Sequence, residues 1–298
     1  MKVKNRSKIC LMVSAAIMVV ALILTVCGLG VNYGIDFSVG LYMQYTMGGE
    51  YNKADVENIL NGMNVGAYTI TEQGGNEINI RIKDIKEDDV QAVQASFEEA
   101  LNAKYPAAAR DGDVSYVGPV AGKTLLTNAF TSVLLAGALM LVYIAIRFDF
   151  NSGVAAVFGL LHDVLMMWAF MVLLRNVIQM NSSYIAAMLT IVGYSINNTI
   201  VIFDRIRENV RKAPATPKAE VVNKSISECL GRTVNTTLTT LLTIVTLYIL
   251  GVNSIKEFAL PIIIGIVSGV YSANMINGYV WAFLEEKKAA RKAKAKKA

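Results

Sequence analysis

The chain of 298 residues is 54% hydrophobic and only 17% charged, where an ordinary soluble domain is about 25% charged. This composition excludes a purely soluble protein and points to bilayer-spanning helices. Three scattered cysteines (Cys10, Cys27, Cys229) and one histidine exclude a disulfide framework, a CxxC site and the multi-histidine zinc centres. The net charge of +5 comes from basic residues at the flanks of apolar runs, which is no nucleic-acid signature.

Residues 1–8 form a basic N-terminal segment with Lys2, Lys4, Arg6 and Lys8. Residues 9–29 follow as an uninterrupted apolar run. A signal peptide shares the basic start but has a shorter core and a small-residue cleavage site. The run reads as a retained anchor, the first transmembrane helix, with cleavage as the lesser alternative.

Residues 30–122 hold 14 acidic against 6 basic side chains, a balance that reads as a small soluble domain between two membrane helices. The pattern predicts a strand over 40–47, a helix over 53–61 and a strand over 67–72. A turn at Gly74-Gly75, a strand over 77–83, a helix over 87–105 and a strand over 113–117 follow. The alternation in Glu77-Ile78-Asn79-Ile80-Arg81-Ile82 marks a strand buried on one face. Asp84 is placed to cap the second helix, and Pro106 lies just past its end. The order β-α-β-β-α-β is the ferredoxin-like α+β arrangement, a shape that names no function alone.

Five more apolar runs follow, over 125–146, 154–174, 184–203, 234–250 and 258–283. The fold class is therefore an α-helical polytopic membrane protein with six transmembrane helices. One extracytoplasmic ferredoxin-like domain lies between helices 1 and 2, the membrane domain occupies 123–284, and a basic tail occupies 285–298. The N-terminus, the loop over 204–232 and the tail are all basic. With six spans they share one side, and the positive-inside rule makes that side cytoplasmic. The Lys/Ala tail reads as a solvated, disordered segment that can also touch anionic lipid.

Three places inside the apolar runs are polar. The first is Ser195, Asn197, Asn198 and Thr199. Thr190, Gly193, Tyr194, Asn197 and Val201 share a helical face above Asp204, expected to meet other protein or a hydrated cavity. Two readings stand, interhelical packing glue and a transport role. The second is Leu161-His162-Asp163-Val164, with three readings: a proton relay, a metal ligand, or a structural pair. Too few ligands lie nearby for the metal. The third is one face of the fifth span, with Arg232, Thr236, Thr239, Thr240 and Thr243. Threonines often bond their own backbone there, and Arg232 can snorkel to the surface. In the last span Gly265 and Gly269 form a GxxxG spacing fit for close helix contact. The chain has no GxxxxGK[ST] loop and no nucleophile set, so neither bound ATP nor an enzymatic reaction is expected, and no cofactor is.

Several motifs together resemble the SecD–SecF family of bacterial protein-export membrane proteins, and within it the SecF subunit. Gly34-Ile35-Asp36-Phe37-Ser38-Val39-Gly40 resembles the family's GxDFxGG signature. Arg147-Phe148, Leu161-His162-Asp163-Val164 and Arg232-Thr233 with Thr236 to Leu241 are similar to further motifs. So is Gly269-Val270-Tyr271-Ser272. The most specific match is Gly193-Tyr194-Ser195-Ile196-Asn197-Asn198-Thr199, running on to Phe203-Asp204-Arg205-Ile206-Arg207-Glu208-Asn209.

The resemblance implies a bacterial plasma-membrane protein of the resistance-nodulation-division superfamily. It implies SecD, the SecYEG channel, YajC and the translocating preprotein as partners, besides membrane lipid. It also implies proton-driven assistance to late steps of preprotein export. The family usually has Asn-Asp-Thr where this chain has Asn197-Asn198-Thr199, and it pairs that aspartate with the residue at Arg232. An amide cannot carry the proton. Three explanations follow: the coupling carboxylate lies wholly on SecD with Asn198 as hydrogen-bond support, Asp163 takes over part of the role, or the coupling ion is Na⁺. The alternatives to export are small-molecule or lipid efflux and a structural partner of SecD without its own ion coupling. An intramembrane hydrolase built on His162 and Asp163 lacks a nucleophile.

Overall fold

The computed structural model describes residues 3–34, 37, 40–73, 76–83, 85–111 and 114–295. Asp36, the Gly74-Gly75 turn, the capping residue Asp84 and Asp113 lie outside the described residues. The chain divides into two compact units, one of residues 1–32 and 131–298, the other of residues 33–130.

The smaller unit is built on a sheet. Strands β1 (Gly40–Thr46), β2 (Tyr68–Gln73), β3 (Glu77–Lys83), β4 (Ala109–Arg110) and β5 (Ser115–Val117) run in the order β2-β3-β1-β4, all neighbours antiparallel, with β5 also on β1. Two helices, α2 (Lys53–Gly62) and α3 (Val90–Lys104), complete the unit. β1 shows why alternation fixes the register: Leu41, Met43 and Tyr45 point into the core against Ile78, Ile80 and Ile82 of β3. Val56 and Leu60 of α2 and Phe97 and Leu101 of α3 cover that face. The expected one-sided strand departs at Asn79, which is buried and whose side-chain oxygen accepts from Tyr42 Oη at 2.9 Å.

Gly40 opens β1 with φ near +149°, and a Cβ there would meet the Ile82 carbonyl oxygen at 2.1 Å. Only glycine fits so close a backbone approach. The predicted helix over 87–105 begins with a 3₁₀ turn at Glu87–Asp89, and β4 was not legible because two residues carry no periodicity.

The larger unit is helical. Its helices are α1 (Val3–Val26), the part of α4 (Pro119–Arg147) from residue 131 onward, α5 (Phe150–Leu173), α6 (Ser182–Lys212), α7 (Lys218–Leu250), α8 (Asn253–Ser272) and α9 (Gly278–Ala295). A π turn over Ala273–Asn277 joins α8 to α9 without a break, so the described residues give six helices long and apolar enough to cross a membrane. Asp149 caps α5, accepting from Ser152 N at 3.3 Å, and Asn181 caps α6, accepting from Tyr184 N at 2.8 Å.

Two expectations are corrected. The segment over 204–232 is not a loop. α6 and α7 both run through it, leaving only residues 213–217 between them. Ile206, Val222 and Ile226 continue the buried stripe while charges cover the outside, so the extension stays amphipathic after it leaves the apolar run. Arg205 ties the two helices, donating to Glu208 and Glu228 at 2.6 Å each. The tail is also helical as far as Ala295, as alanine and lysine are strong helix formers.

Glycines set the closest approach in the bundle. A Cβ on Gly265 would meet Ile191 Cγ1 at 2.4 Å, and one on Gly269 would meet Ser195 Cβ at 3.2 Å. The GxxxG spacing thus faces α6, as its small surface allows.

Candidate intramembrane polar site

At the centre of the helical unit lies Asp163, fully buried on α5. In hydrocarbon an unpaired carboxylate would be costly, so its partners define the site. His162 Nδ1 lies 3.0 Å from Oδ1, and Ser268 Oγ of α8 donates to the same oxygen at 2.9 Å. Ser272 Oγ, one helical turn further along α8, donates to Oδ2 at 2.8 Å, and Ser195 Oγ of α6 donates to Oδ2 as well. Three helices therefore close on one carboxylate, and Gly269 makes the α6–α8 contact short enough for both serines to reach it.

His162 extends the network. Its Nε2 lies 2.9 Å from Ser14 Oγ of α1. Ser14 Oγ is 3.4 Å from Tyr271 Oη, which donates to the Cys10 carbonyl at 2.6 Å. The Tyr271 ring stacks on the imidazole with centroids 6.0 Å apart. A cavity of about 320 Å³ between α1, α5 and α8 has Ser14, Ser268 and Tyr271 on its wall.

A second cluster lies beside it. Thr199 Oγ1 donates to the Ser195 carbonyl at 3.3 Å and accepts from Asn277 Nδ2 at 2.9 Å. Asn277 is placed by the π turn and seated against Gly159, where a Cβ would come within 2.1 Å of its side-chain oxygen. π turns of this kind often mark functional positions.

The predicted residues separate into two groups. His162, Asp163, Ser195 and Thr199 are brought together. Asn198 is buried, but its Nδ2 has no hydrogen-bond partner among the described residues. Arg232 is exposed on α7 and makes no hydrogen bond or ion pair among the described residues, so the pairing implied by the resemblance is not formed within this chain. The face of Thr190, Gly193, Tyr194, Asn197 and Val201 turns outward rather than into the bundle. Asn197 instead lines an open cavity of about 540 Å³ with Met140 and Tyr143 of α4.

Tyr194 Oη reaches Thr240 Oγ1 at 3.3 Å, joining that face to the outward stripe of Arg232, Thr236, Thr239 and Thr243. Thr239 and Thr240 both donate to the Thr236 carbonyl, at 2.8 and 3.0 Å, as threonines in membrane helices commonly do. Among the signature residues, Gly34 and Phe37 lie ahead of β1, which Gly40 opens. Phe203 packs edge-on to Phe148 with centroids 6.4 Å apart, Asp204 meets Arg147 at 3.5 Å, and Arg205 joins α6 to α7. Among the described residues no group of three or more histidine, cysteine or carboxylate side chains is arranged to hold a metal.

Sequence reasoning missed Ser14, Ser268 and the role of Tyr271. Ser14 was detectable as one of two hydroxyls, with Thr25, in the first apolar run, and Ser268 and Ser272 as an i, i+4 pair flanking Tyr271.

Residues 96–287 match the family model described as "Protein export membrane protein SecD/SecF, C-terminal". The protein translocase subunit SecF of Alicyclobacillus acidocaldarius is 36% identical over 257 residues, covering 85% of this chain and 82% of the relative. That of Endomicrobium trichonymphae is also 36% identical, over 82% of this chain and 78% of its own length. The Bacillus subtilis SecDF is 32% identical over 84% of this chain, which spans only 34% of that longer protein. The crystal structure of SecDF from Thermus thermophilus, a translocon-associated membrane protein, superposes with a TM-score of 0.81 at 31% identity, over 97% of this chain and 39% of that one. A family model over most of the chain and relatives that match it nearly end to end leave one assignment: the chain belongs to the SecD/SecF family of protein-export membrane proteins, and within it to the SecF subunits.

Proposed function

We propose that this chain is the SecF partner in a SecD–SecF pair that uses an ion gradient to promote late steps of preprotein export through SecYEG. The observation that carries the reading is its near full-length likeness to SecF subunits, joined to its likeness to about a third of the fused SecDF chains. A physical argument supports the partnership. Asn197, Thr236, Thr239 and Arg232 form an outward polar stripe on helices that also expose apolar residues such as Leu238 and Leu242. Hydrocarbon solvates that stripe poorly, whereas a matching helix bundle would satisfy it.

In this reading the termini are cytoplasmic, the acidic unit is extracytoplasmic and its strand order is that of a ferredoxin-like domain. The coupling residues are those of the intramembrane network, His162 and Asp163 with Ser195, Thr199 and the buried Asn198, beside Asn197, Arg232 and Thr236 at the boundary with SecD. The chain is a transport subunit and catalyses no reaction.

The test is purification of the chain from solubilised membranes, with export of a secreted reporter followed in a strain lacking it. SecD and channel subunits should come with it, and reporter export should slow. A chain recovered alone, with unchanged export and with drug accumulation in the deletion strain, would favour efflux instead.

A further inference from the structure

A cavity of about 320 Å³ is a large void for a packed bundle, since protein interiors leave few gaps bigger than a water molecule. The one between α1, α5 and α8 opens sideways. Val13 of α1 and Val267 of α8 line it and are each about half exposed, on the outer surface of spans apolar enough to cross a membrane. Its mouth therefore meets hydrocarbon.

The wall offers little to water. Ser268 Oγ donates to Asp163 Oδ1 at 2.9 Å, and Tyr271 Oη donates to the Cys10 carbonyl at 2.6 Å. Ser14 Oγ is held between His162 Nε2 and Tyr271 Oη. The other lining side chains, among them Ile17, Phe170 and Ile264, are apolar. A buried water takes roughly two to four polar partners, and a smaller apolar cavity, of about 150 Å³, stays dry and admits benzene. An apolar molecule suits this space better than water does.

The shape narrows the class. On α8 the lining runs from Ile263 to Tyr271, about 12 Å along the helix axis. That length and the volume give a mean cross-section of about 27 Å². A helix, about 10–12 Å across, does not enter so narrow a slot, whereas a single alkyl chain does.

The depth supplies a headgroup. Asp163 lies at the middle of the apolar run over 154–174, and Ser268 reaches it, so the inner end of the cavity is near the bilayer midplane. From Tyr271 back to Lys256, α8 runs unbroken for about 22 Å, half of the roughly 40–45 Å between the two headgroup surfaces. Lys256, Ile263 and Val267 stand at i, i+7 and i+11, on one helical face. The Lys256 ammonium makes no ion pair among the described residues, and a lysine at this level extends its charge to the interface.

We propose that the cavity between α1, α5 and α8 holds one acyl chain of a bilayer phospholipid, its end against Tyr271 and its phosphate beside Lys256. The chain supplies dispersion contacts that the void forfeits, and it keeps water away from His162 and Asp163. The site requires only that these helices span a bilayer, so it stands or falls apart from the export reading.

The full chain is reconstituted in vesicles with phosphatidylglycerol carrying a photoreactive diazirine at the end of one acyl chain, or next to the ester of that chain. Adducts formed on illumination are mapped by mass spectrometry. The chain-end probe should label Tyr271 and Ser14, and the ester-side probe should label the stretch from Lys256 to Leu260. Val267→Trp, at the half-exposed mouth, should cut labelling by the chain-end probe roughly tenfold. Leu247→Trp, exposed on α7, should leave it unchanged. Lys256→Gln should lower it roughly fivefold, the usual worth of one basic side chain at a lipid surface. If Val267→Trp fails to fold, Lys256→Gln and the two probe depths carry the comparison.

Adducts spread evenly over every exposed apolar face and unchanged by Val267→Trp would show ordinary surrounding lipid and overturn the proposal. So would equal labelling of Tyr271 by both probes, or a Lys256→Gln chain labelled like the parent. Cavity adducts that vanish when the chain is purified together with partner subunits would assign the space to a partner's side chain instead, and overturn it too. None of these results bears on reporter export.

Discussion

Gly269 of α8 faces Ser195 of α6 so closely that a β-carbon on the glycine would lie 3.2 Å from that of the serine. The contact is structural and chemical together, because Ser195 turns its hydroxyl to Asp163 from that position. Gly265, one turn away, is tighter still, at 2.4 Å from Ile191 Cγ1. Gly265→Ala should therefore destabilise the bundle by about 1–3 kcal/mol, the usual range for overpacking. Gly269→Ala should cost less, because its neighbour need give only a few tenths of an ångström. Melting temperatures in one detergent would rank them, and Ile191→Val should recover part of the Gly265→Ala loss.

Gly159 and Asn277 should behave as one unit. A Cβ on Gly159 would come within 2.1 Å of the Asn277 side chain, which bonds Thr199. Gly159→Ala alone should destabilise markedly. In an Asn277→Ala background the same change should be nearly neutral, a coupling of about 1–3 kcal/mol in a double-mutant cycle. Additive losses would show that the two do not share the space.

Removing the Asp163 carboxylate should be more damaging than its volume implies. Asp163→Leu leaves the Ser195, Ser268 and Ser272 hydroxyls and His162 without their common acceptor, so a loss of about 3–5 kcal/mol is expected. Asp163→Asn keeps one oxygen acceptor and should retain the fold while abolishing ion-coupled export. Comparing thermal stability with reporter export separates the two roles. Asn198→Ala, by contrast, should leave the stability of the isolated chain within about 1 kcal/mol, since Nδ2 has no partner among the described residues.

The smaller unit should lose stability at both ends of the pH scale. Hydrogen bonds from Lys104 and then Tyr105 hold the Asp55 carboxyl below its ordinary range, with Nζ and Oη each 2.7 Å away. A lowered folded value means that stability is present above the unfolded value, near pH 3.9, and fades as pH falls through the folded one. At the alkaline end, burial first and Glu98 second push the Tyr45 hydroxyl well above its usual range, and burial first with Glu72 second pushes Tyr51 up to about 12. These contributions are intact below about pH 10 and disappear as pH rises beyond it. Asp55→Asn should flatten the acid limb of a stability profile and Tyr45→Phe the alkaline limb, each leaving the other unchanged.

What the sequence disclosed was whatever has a period or a run. Strand Glu77–Lys83 is read with its bounds intact, and the membrane helices differ mainly at their ends. The amphipathic extensions of α6 and α7 were hidden because charge density resembles a loop until the buried stripe of Ile206, Val222 and Ile226 is aligned. His162 and Asp163 stood out because ionisable groups in apolar runs are costly. Their serine partners did not, because a serine in a membrane helix is ordinary until a carboxylate faces it. Ser14 is 148 residues from His162, and no local pattern links the two. The outward turn of Asn197 was equally hidden, since helical spacing groups residues on a face without saying what that face meets.

That long separation bears on biogenesis. The ribosome releases α1 first, and Ser14 faces lipid without its partners until α5 and then α8 have entered the bilayer. A nascent or truncated product therefore leaves hydroxyl, imidazole and carboxyl groups without the partners that satisfy them in the finished bundle. The central network is thus completed only by the last span, and a chain that stops short of α8 lacks two of the three serine hydroxyls that reach Asp163.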